Sequence, residues 1–241
     1  MSGVPVDIAL APDDRRAGHL RGVLRARPGQ IVRAGAIRGP TGRAEVLAAD
    51  ESGVRLRVSL DGPSSPRPPV DLVLAVPRPK VLPRVLEIAA SFGVGRIDLV
   101  NAWRVDRSYL ASPRLDRDAL GAALRRGCEQ GATTWLPDID LHPLLMPFLD
   151  EAPARWPGGA HRIIAHPRAR STIEASVRPG AESPILLAIG PEGGWIDREL
   201  ASFAALGFAA VSLGSAVLRV EAAVAAVLAQ IQLLRRLEAS G

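Results

Sequence analysis

Apolar residues recur along this chain in two rhythms, and the rhythm changes near residue 70. Before that point the runs are short and alternating. Val54-Arg-Leu-Arg-Val58 places an apolar side chain at every second position, as a half-buried strand does. Similar patterns predict strands over Val4–Leu10, Gln30–Ile37, Gly42–Ala49 and Gly53–Leu60, separated by Gly and Asp-Glu-Ser turns. Asp13–Arg27 predicts a helix with Leu20, Val23 and Leu24 on one side. The stretch Asp61-Gly-Pro-Ser-Ser-Pro-Arg-Pro-Pro69 then breaks any regular pairing, because proline lacks the backbone donor. It predicts a boundary between a small, mainly β domain over 1–66 and a larger domain over 70–241.

After the linker, continuous apolar runs alternate with helical stripes. Strands are predicted at Val70–Val76, Arg96–Asn101, His161–Ala165, Ile185–Ile189 and Ala209–Leu213. Helices are predicted at Lys80–Phe92, Asp116–Gln130, Asp197–Leu206 and Val220–Glu238. In the first of these, Val81, Val85, Ile88 and Phe92 form one stripe. Alternating strand and helix predicts an α/β fold with a parallel sheet covered on both faces.

Composition narrows the class. A hydrophobic content of 47% sustains a core and argues against disorder. The formal net charge is +5, and Lys80 is the only lysine among the basic residues. Residues 1–69 hold eleven arginines against seven acids, so the excess lies in the first domain. That suits either an RNA-facing patch or a solvated basic surface. Cys128 is the single cysteine, which rules out an internal disulfide and fits the cytoplasm. No basic segment followed by an apolar run opens the chain, and no run reaches the length of a membrane span.

Most familiar chemistries are not legible. His19, His142, His161, His166 and Cys128 show no metal-ligand spacing, so no metal is expected. There is no G-x-S-x-G elbow, and Cys128 reads as a small apolar filler within a helix. Gly93-Val-Gly95 follows a helix where a dinucleotide loop would follow a strand, and Gly39-Pro-Thr-Gly42 reads as a hairpin turn. What remains is three strand ends: Ile163-Ile-Ala-His-Pro167, Ile189-Gly-Pro-Glu-Gly-Gly194 and Val211-Ser-Leu-Gly214. Ligands of open α/β sheets bind at the carboxyl ends of strands. Gly190, Gly193, Gly194 and Gly214 are expected to let backbone approach a ligand closely there.

These same residues carry a family likeness. GPEGGWIDRELASFAALGF (190–208) and VSLGSAVLRVEAAVAAVL (211–228) resemble the bacterial 16S rRNA uridine N3-methyltransferases, the small-subunit methyltransferase E family. Pro77-Arg-Pro-Lys80, Arg84-Val-Leu86, Phe92-Gly-Val94, Arg104-Val105, Ser108-Tyr109, Glu129-Gln130 and Ala165-His-Pro167 follow in the expected order. His19-Leu-Arg-Gly-Val-Leu-Arg25 with Gly29 is similar to that family's first-domain motif. The resemblance implies a SPOUT-type parallel sheet with a C-terminal trefoil knot and a PUA-like N-terminal β-barrel. It implies a homodimer in the cytoplasm acting on 16S rRNA of the small ribosomal subunit. It also implies S-adenosylmethionine held by His166, Pro167, Ile189, Gly190, Glu192, Gly193, Leu213, Gly214, Val217 and Leu218. The stripe Val220, Val224, Val227, Ile231 and Leu234 would serve either the packing of the knot or a dimer seam.

The expected chemistry is methyl transfer to N3 of a uridine, whose proton must be removed or whose anion must be stabilised. Arg219 is the candidate for stabilising that charge. Glu192 either orients the base and accepts a proton or binds backbone N–H groups and shapes its loop. Arg15, Arg16, Arg21 and Arg25, on the first-domain helix, are candidates for phosphate contact. The chain departs from the family at Ser91-Phe92-Gly93, at Ala222 and at Ala216, where the family usually has arginine. The last change removes a cation beside the cofactor loop. It leaves open two other readings: an RNA-binding assembly factor with weakened chemistry, or a methyltransferase acting on another RNA.

Overall fold

The computed structural model describes residues 4–177 and 183–239, and divides the chain into two compact units. The first comprises residues 1–66 with Thr133–Trp135, and the second the remainder.

In the first unit, strands β1 (Val6–Leu10), β2 (Ile31–Gly35), β3 (Thr41–Asp50) and β4 (Gly53–Ser59) form an antiparallel sheet in the order β1-β4-β3-β2. Its small core gathers Leu10, Ala17, Leu20, Ala44, Val46, Val54 and Leu56. The alternation read at residues 54–58 is real: Val54 and Leu56 are buried, and Arg55 and Arg57 are exposed. The helix expected over Asp13–Arg27 is much shorter. Asp14 caps it by accepting from the Arg16 N–H at 2.8 Å, and regular α-helix α1 covers only Arg15–Gly18. A wider turn follows over His19–Val23, closed by Leu24 N–H to the His19 carbonyl, and Arg25 then enters the left-handed region at φ 47°. Gly18 and Gly22 weaken an α-helix here, and the wider turn rotates the apolar face. Only Leu20 of the expected stripe is therefore buried; Val23 and Leu24 are exposed. Ser65 and Thr134 exchange two hydrogen bonds of 2.9 Å, which tie the segment 133–135 to this unit.

The second unit is a parallel sheet in the order β7-β6-β5-β10-β8-β11-β9. Its strands are β5 (Val70–Ala75), β6 (Arg96–Val100), β7 (Asp138–His142), β8 (His161–Ala165), β9 (Ser171–Thr172), β10 (Ile185–Ile189) and β11 (Ala209–Ser212). Central β5 and β10 are buried along their whole length, which explains the unbroken apolar run of β10 and that of β5 after Asp71, whose buried carboxylate is paired with Arg67. Helices α2 (Leu82–Phe92), α3 (Arg117–Gly131), α4 (Leu145–Glu151), α5 (Ile173–Ser176), α6 (Asp197–Ala205) and α7 (Val220–Ala239) complete it. The expected stripe on α7 packs inside the unit: Val220, Val224, Val227 and Ile231 are buried, and Leu234 packs against them.

The edge strand β7 and helix α4 were not legible in the sequence. Asp138-Ile-Asp-Leu-His142 is mostly polar because the edge faces water on one side. It is held by Arg96, which bonds both Asp98 and Asp140, and by His142 Nε2, 2.8 Å from buried Asp98. Helices α2 and α3 meet where side chains vanish. A Cβ on Gly127 would stand 2.4 Å from the Glu87 carbonyl oxygen, inside contact distance. Gly127→Ala is expected to destabilise the protein by about 2 kcal/mol through overpacking, read as a lower urea midpoint. An unchanged midpoint would mean the helices separate without loss.

Candidate functional site

The sheet order decides the site. Strands β10, β8 and β11 are adjacent and parallel, with Ala188 opposite Ile164 and Val211 opposite Ala165. Their carboxyl ends therefore lie side by side, and the three loops singled out in the sequence form one rim. Next to them, at β5, begins the loop carrying Arg78, and beyond it the loop after β6 carrying Trp103 and Arg104.

Each loop is fixed by bonds to its neighbours. His166 donates its backbone N–H to the Val211 carbonyl at 3.0 Å and accepts from Ala169 N–H, which joins the ends of β8 and β11. Pro167 beside it is exposed. Gly214 has φ 144°, which favours glycine, and its N–H lies 3.3 Å from the Ser212 hydroxyl oxygen. Gln230 on α7 donates to the Leu213 carbonyl at 3.2 Å. Val217, Leu218 and Arg219 follow, all exposed, Val217 to 82%. The rim thus presents apolar side chains to solvent next to backbone polar groups.

The 190–194 loop turns through a Gly194 N–H to Pro191 carbonyl bond of 2.8 Å, with Gly194 at φ 71°. Its first and fourth residues are glycine for a reason that differs from the expected one. A Cβ on Gly190 would meet the buried Trp195 ring at 3.0 Å, and one on Gly193 would meet the Arg104 side chain at 3.2 Å. The protein itself fills those spaces. At Gly194 and Gly214, by contrast, the space for a Cβ is open and the backbone conformation sets the requirement.

Glu192 is exposed, and its Oε1 accepts the Arg78 backbone N–H at 2.9 Å. One face of this carboxylate is therefore spent on joining the loops after β5 and β10. Arg104 adds a second link by donating to the Gly193 carbonyl at 2.6 Å. Glu199 was missed in the sequence. It is 3% exposed, and its two oxygens accept the backbone N–H of Trp103 at 2.7 Å and of Ile196 at 2.9 Å. Its place in the first turn of α6 is the signal that was available, since an acid there reaches back to the residue before the helix. The reciprocal half of that motif is absent because Ile196 has no side-chain acceptor.

Arg219 precedes α7, and its carbonyl accepts from Ala223 N–H at 2.8 Å. Its guanidinium has no partner among the described residues. A cation at a helix N-terminus opposes the helix dipole, by about 0.3–1 kcal/mol. The fold gains nothing from arginine at this position.

In the first unit, Arg16 is paired with Asp14 at 2.7 Å, and Arg21 donates to the carbonyls of Asp50 and Pro12. Arg16 holds its own turn, and Arg21 ties that turn to the end of β3. Arg15 is exposed, and Arg25 is exposed beyond the turn. Cys128 is buried, and burial pushes its thiol up to about 11, which suppresses the thiolate. No cluster of metal-ligating side chains occurs among the described residues, and no described helix is long and apolar enough to cross a membrane.

A family model described as an RNA methyltransferase domain matches residues 63–232. The ribosomal RNA small subunit methyltransferase E of Treponema pallidum (strain Nichols) is 30% identical over 214 residues, covering 88% of this chain and 80% of that protein. Its namesake in Mycobacterium bovis is 30% identical over 90% of this chain and 83% of that protein. The solved structure of the enzyme of that name from Neisseria gonorrhoeae, bound to S-adenosyl methionine, shares the fold, with a TM-score of 0.73 at 23% identity. That likeness covers 96% of this chain and 93% of that one. A family model that spans most of the chain, and relatives at 30% identity along nearly all of it, place this protein in the ribosomal RNA small subunit methyltransferase E family of RNA methyltransferase domains.

Proposed function

We propose that this protein transfers a methyl group from S-adenosylmethionine to N3 of a uridine in 16S rRNA of the small ribosomal subunit. The observation that carries this reading is the single rim formed by the loops after β8, β10 and β11. The rim fits the cofactor chemically. Several of its backbone groups are spent within the protein, but the second lone pairs of the Gly193 and Leu213 carbonyls and the backbone of Gly190 and Glu192 suit the edge of an adenine and a ribose, and exposed Val217 and Leu218 suit its apolar faces. His166, Pro167, Ile189, Gly190, Gly193, Leu213, Gly214, Val217 and Leu218 are the proposed contacts. The cofactor supplies an activated methyl group. As the N3–methyl bond replaces the methyl–sulfonium bond, the N3 proton passes to solvent, and Arg219 stabilises the negative charge that spreads over O2 and O4 of the uracil. Glu192 keeps the loops in register, in line with its bond to Arg78.

The remaining parts of the reading come from family membership. The parallel sheet is closed at its C-terminal side by a trefoil knot, and the first unit is a PUA-like module that grips rRNA. Arg25 is its best-placed phosphate contact, since Arg16 is paired with Asp14 and Arg21 bridges to the carbonyls of Pro12 and Asp50. The protein works as a homodimer, with exposed Leu233 and Leu237 on α7 as apolar area for a second copy.

Calorimetric titration with S-adenosylmethionine is expected to show saturable binding, weakened at least about tenfold in Gly193→Val, where valine would displace Arg104 from the loop. Incubation of 16S rRNA with methyl-labelled cofactor is expected to give 3-methyluridine on nucleoside analysis. Absence of cofactor binding by the folded protein, alone and with rRNA present, would leave the RNA-binding reading. Label on a ribose hydroxyl or another base would overturn the N3 assignment.

A further inference from the structure

We propose that Trp103 is a stacking platform for an unpaired nucleobase of the RNA substrate, a role that rests on the methyltransferase reading of the neighbouring rim. Trp103 is 80% exposed. The other tryptophans are all engaged: Trp135 lies under Arg38, Trp156 packs with Phe148, Phe208 and Arg162, and Trp195 is buried against Phe203. Trp103 has no ring or cation partner among the described residues.

A lone exposed apolar side chain is ordinary on a protein surface. The backbone beneath this one is not ordinary. Its N–H is held at 2.7 Å by Glu199, a carboxylate taken almost wholly out of water. Burying a carboxylate is unfavourable unless hydrogen bonds satisfy it. The next residue, Arg104, is tied to Gly193 of the proposed cofactor loop. The ring is therefore presented to solvent on a rigid base, one residue from the rim. A backbone already fixed beneath the ring leaves only the side-chain rotamer to be ordered when a flat ligand settles on it.

The occupant follows from the surrounding charge. Arg78, Lys80, Arg104 and Arg107 are exposed on the loops after β5 and β6. Against these four cations stand the carboxylates of Asp106 on the β6 loop and Glu192 on the loop after β10, which accept backbone N–H groups from Ser108 and Arg78, so cations remain in excess. A rigid aromatic ring set among cations matches single-stranded nucleic acid, whose bases stack while its phosphates pair with arginine and lysine. The apolar area proposed for a second copy lies elsewhere, at Leu233 and Leu237 on α7.

The test uses full-length protein and an oligouridylate. Binding is expected to quench tryptophan fluorescence in the wild type, with most of the quenching lost in Trp103→Phe, because Trp195 is buried and Trp135 and Trp156 are half-buried under their own partners. Trp103→Ala is expected to weaken oligouridylate and 16S rRNA binding by about fivefold to a hundredfold, and Trp103→Phe to restore most of it. The methylation defect is expected in KM for RNA, with S-adenosylmethionine affinity held. Cofactor titration of the wild type tests the methyltransferase reading separately. If quenching persists in Trp103→Phe, or if Trp103→Ala binds RNA normally, the platform is disproved. If Trp103→Ala instead converts an oligomer to a monomer in sedimentation while its monomer binds RNA normally, the ring serves a copy contact and the proposal is equally overturned.

Discussion

Arg219→Ala is expected to slow methyl transfer by about a hundredfold to a thousandfold while cofactor affinity stays within about threefold. The expectation follows from the position of the residue. Its side chain is exposed, unpartnered among the described residues, and set at the start of α7 against the helix dipole. Removing it leaves no buried polar group unsatisfied, so the fold should not suffer. In the proposed reaction the loss should appear in kcat, because the charge assigned to Arg219 would develop only as the uracil N3 gives up its proton. Arg219→Lys should recover part of the rate, since it keeps the charge and loses the planar fork. A rate for Arg219→Ala equal to wild type under single-turnover conditions would remove the anion-stabilising role. With Ala216 beside it in place of the family's usual arginine, Arg219 is the cation this loop retains before α7.

Glu199→Ala is expected to lower stability by about 3 kcal/mol and to weaken cofactor binding with it. Two backbone N–H groups, at Trp103 and Ile196, lose their acceptor together. Hydrogen bonds to charged groups are worth about 1.5–3 kcal/mol each, and a buried donor left without a partner is costly. Glu199→Gln should cost about half as much, because an amide oxygen can still accept one of the two bonds. Urea unfolding should show the lower midpoint with an unchanged slope. A midpoint within experimental error of wild type would show that water satisfies both donors. In that case Trp103 would also lose its rigid base, and its role in stacking would have to rest on exposure alone.

The chain shows how much of a site can be read before its geometry is known. Strand β10 and the apolar centres of β5 and β8 were legible because a parallel strand covered on both faces is rich in continuous apolar residues. The glycine-bearing loops were legible because positive φ at Gly194 and Gly214 needs glycine, and a glycine leaves a mark in sequence. The edge strand β7 was not, because its stability comes from Arg96, Asp98 and His142 across the sheet rather than from its own apolar content. The first-domain helix was overextended because periodicity cannot foresee the wider turn at His19–Val23.

By itself, then, the sequence determined the α/β class, the central strands, the glycine-bearing strand-end loops proposed to hold the cofactor, and the family likeness, since each depends on local backbone preference or on the burial of a contiguous run. Only the tertiary structure decided that β10, β8 and β11 are neighbours, that Gly190 and Gly193 yield space to Trp195 and Arg104, and that Glu199 is buried beneath Trp103. Those facts are set by strand order and by contacts between residues far apart in the chain. No periodicity along the sequence encodes which distant backbone N–H a buried carboxylate will meet.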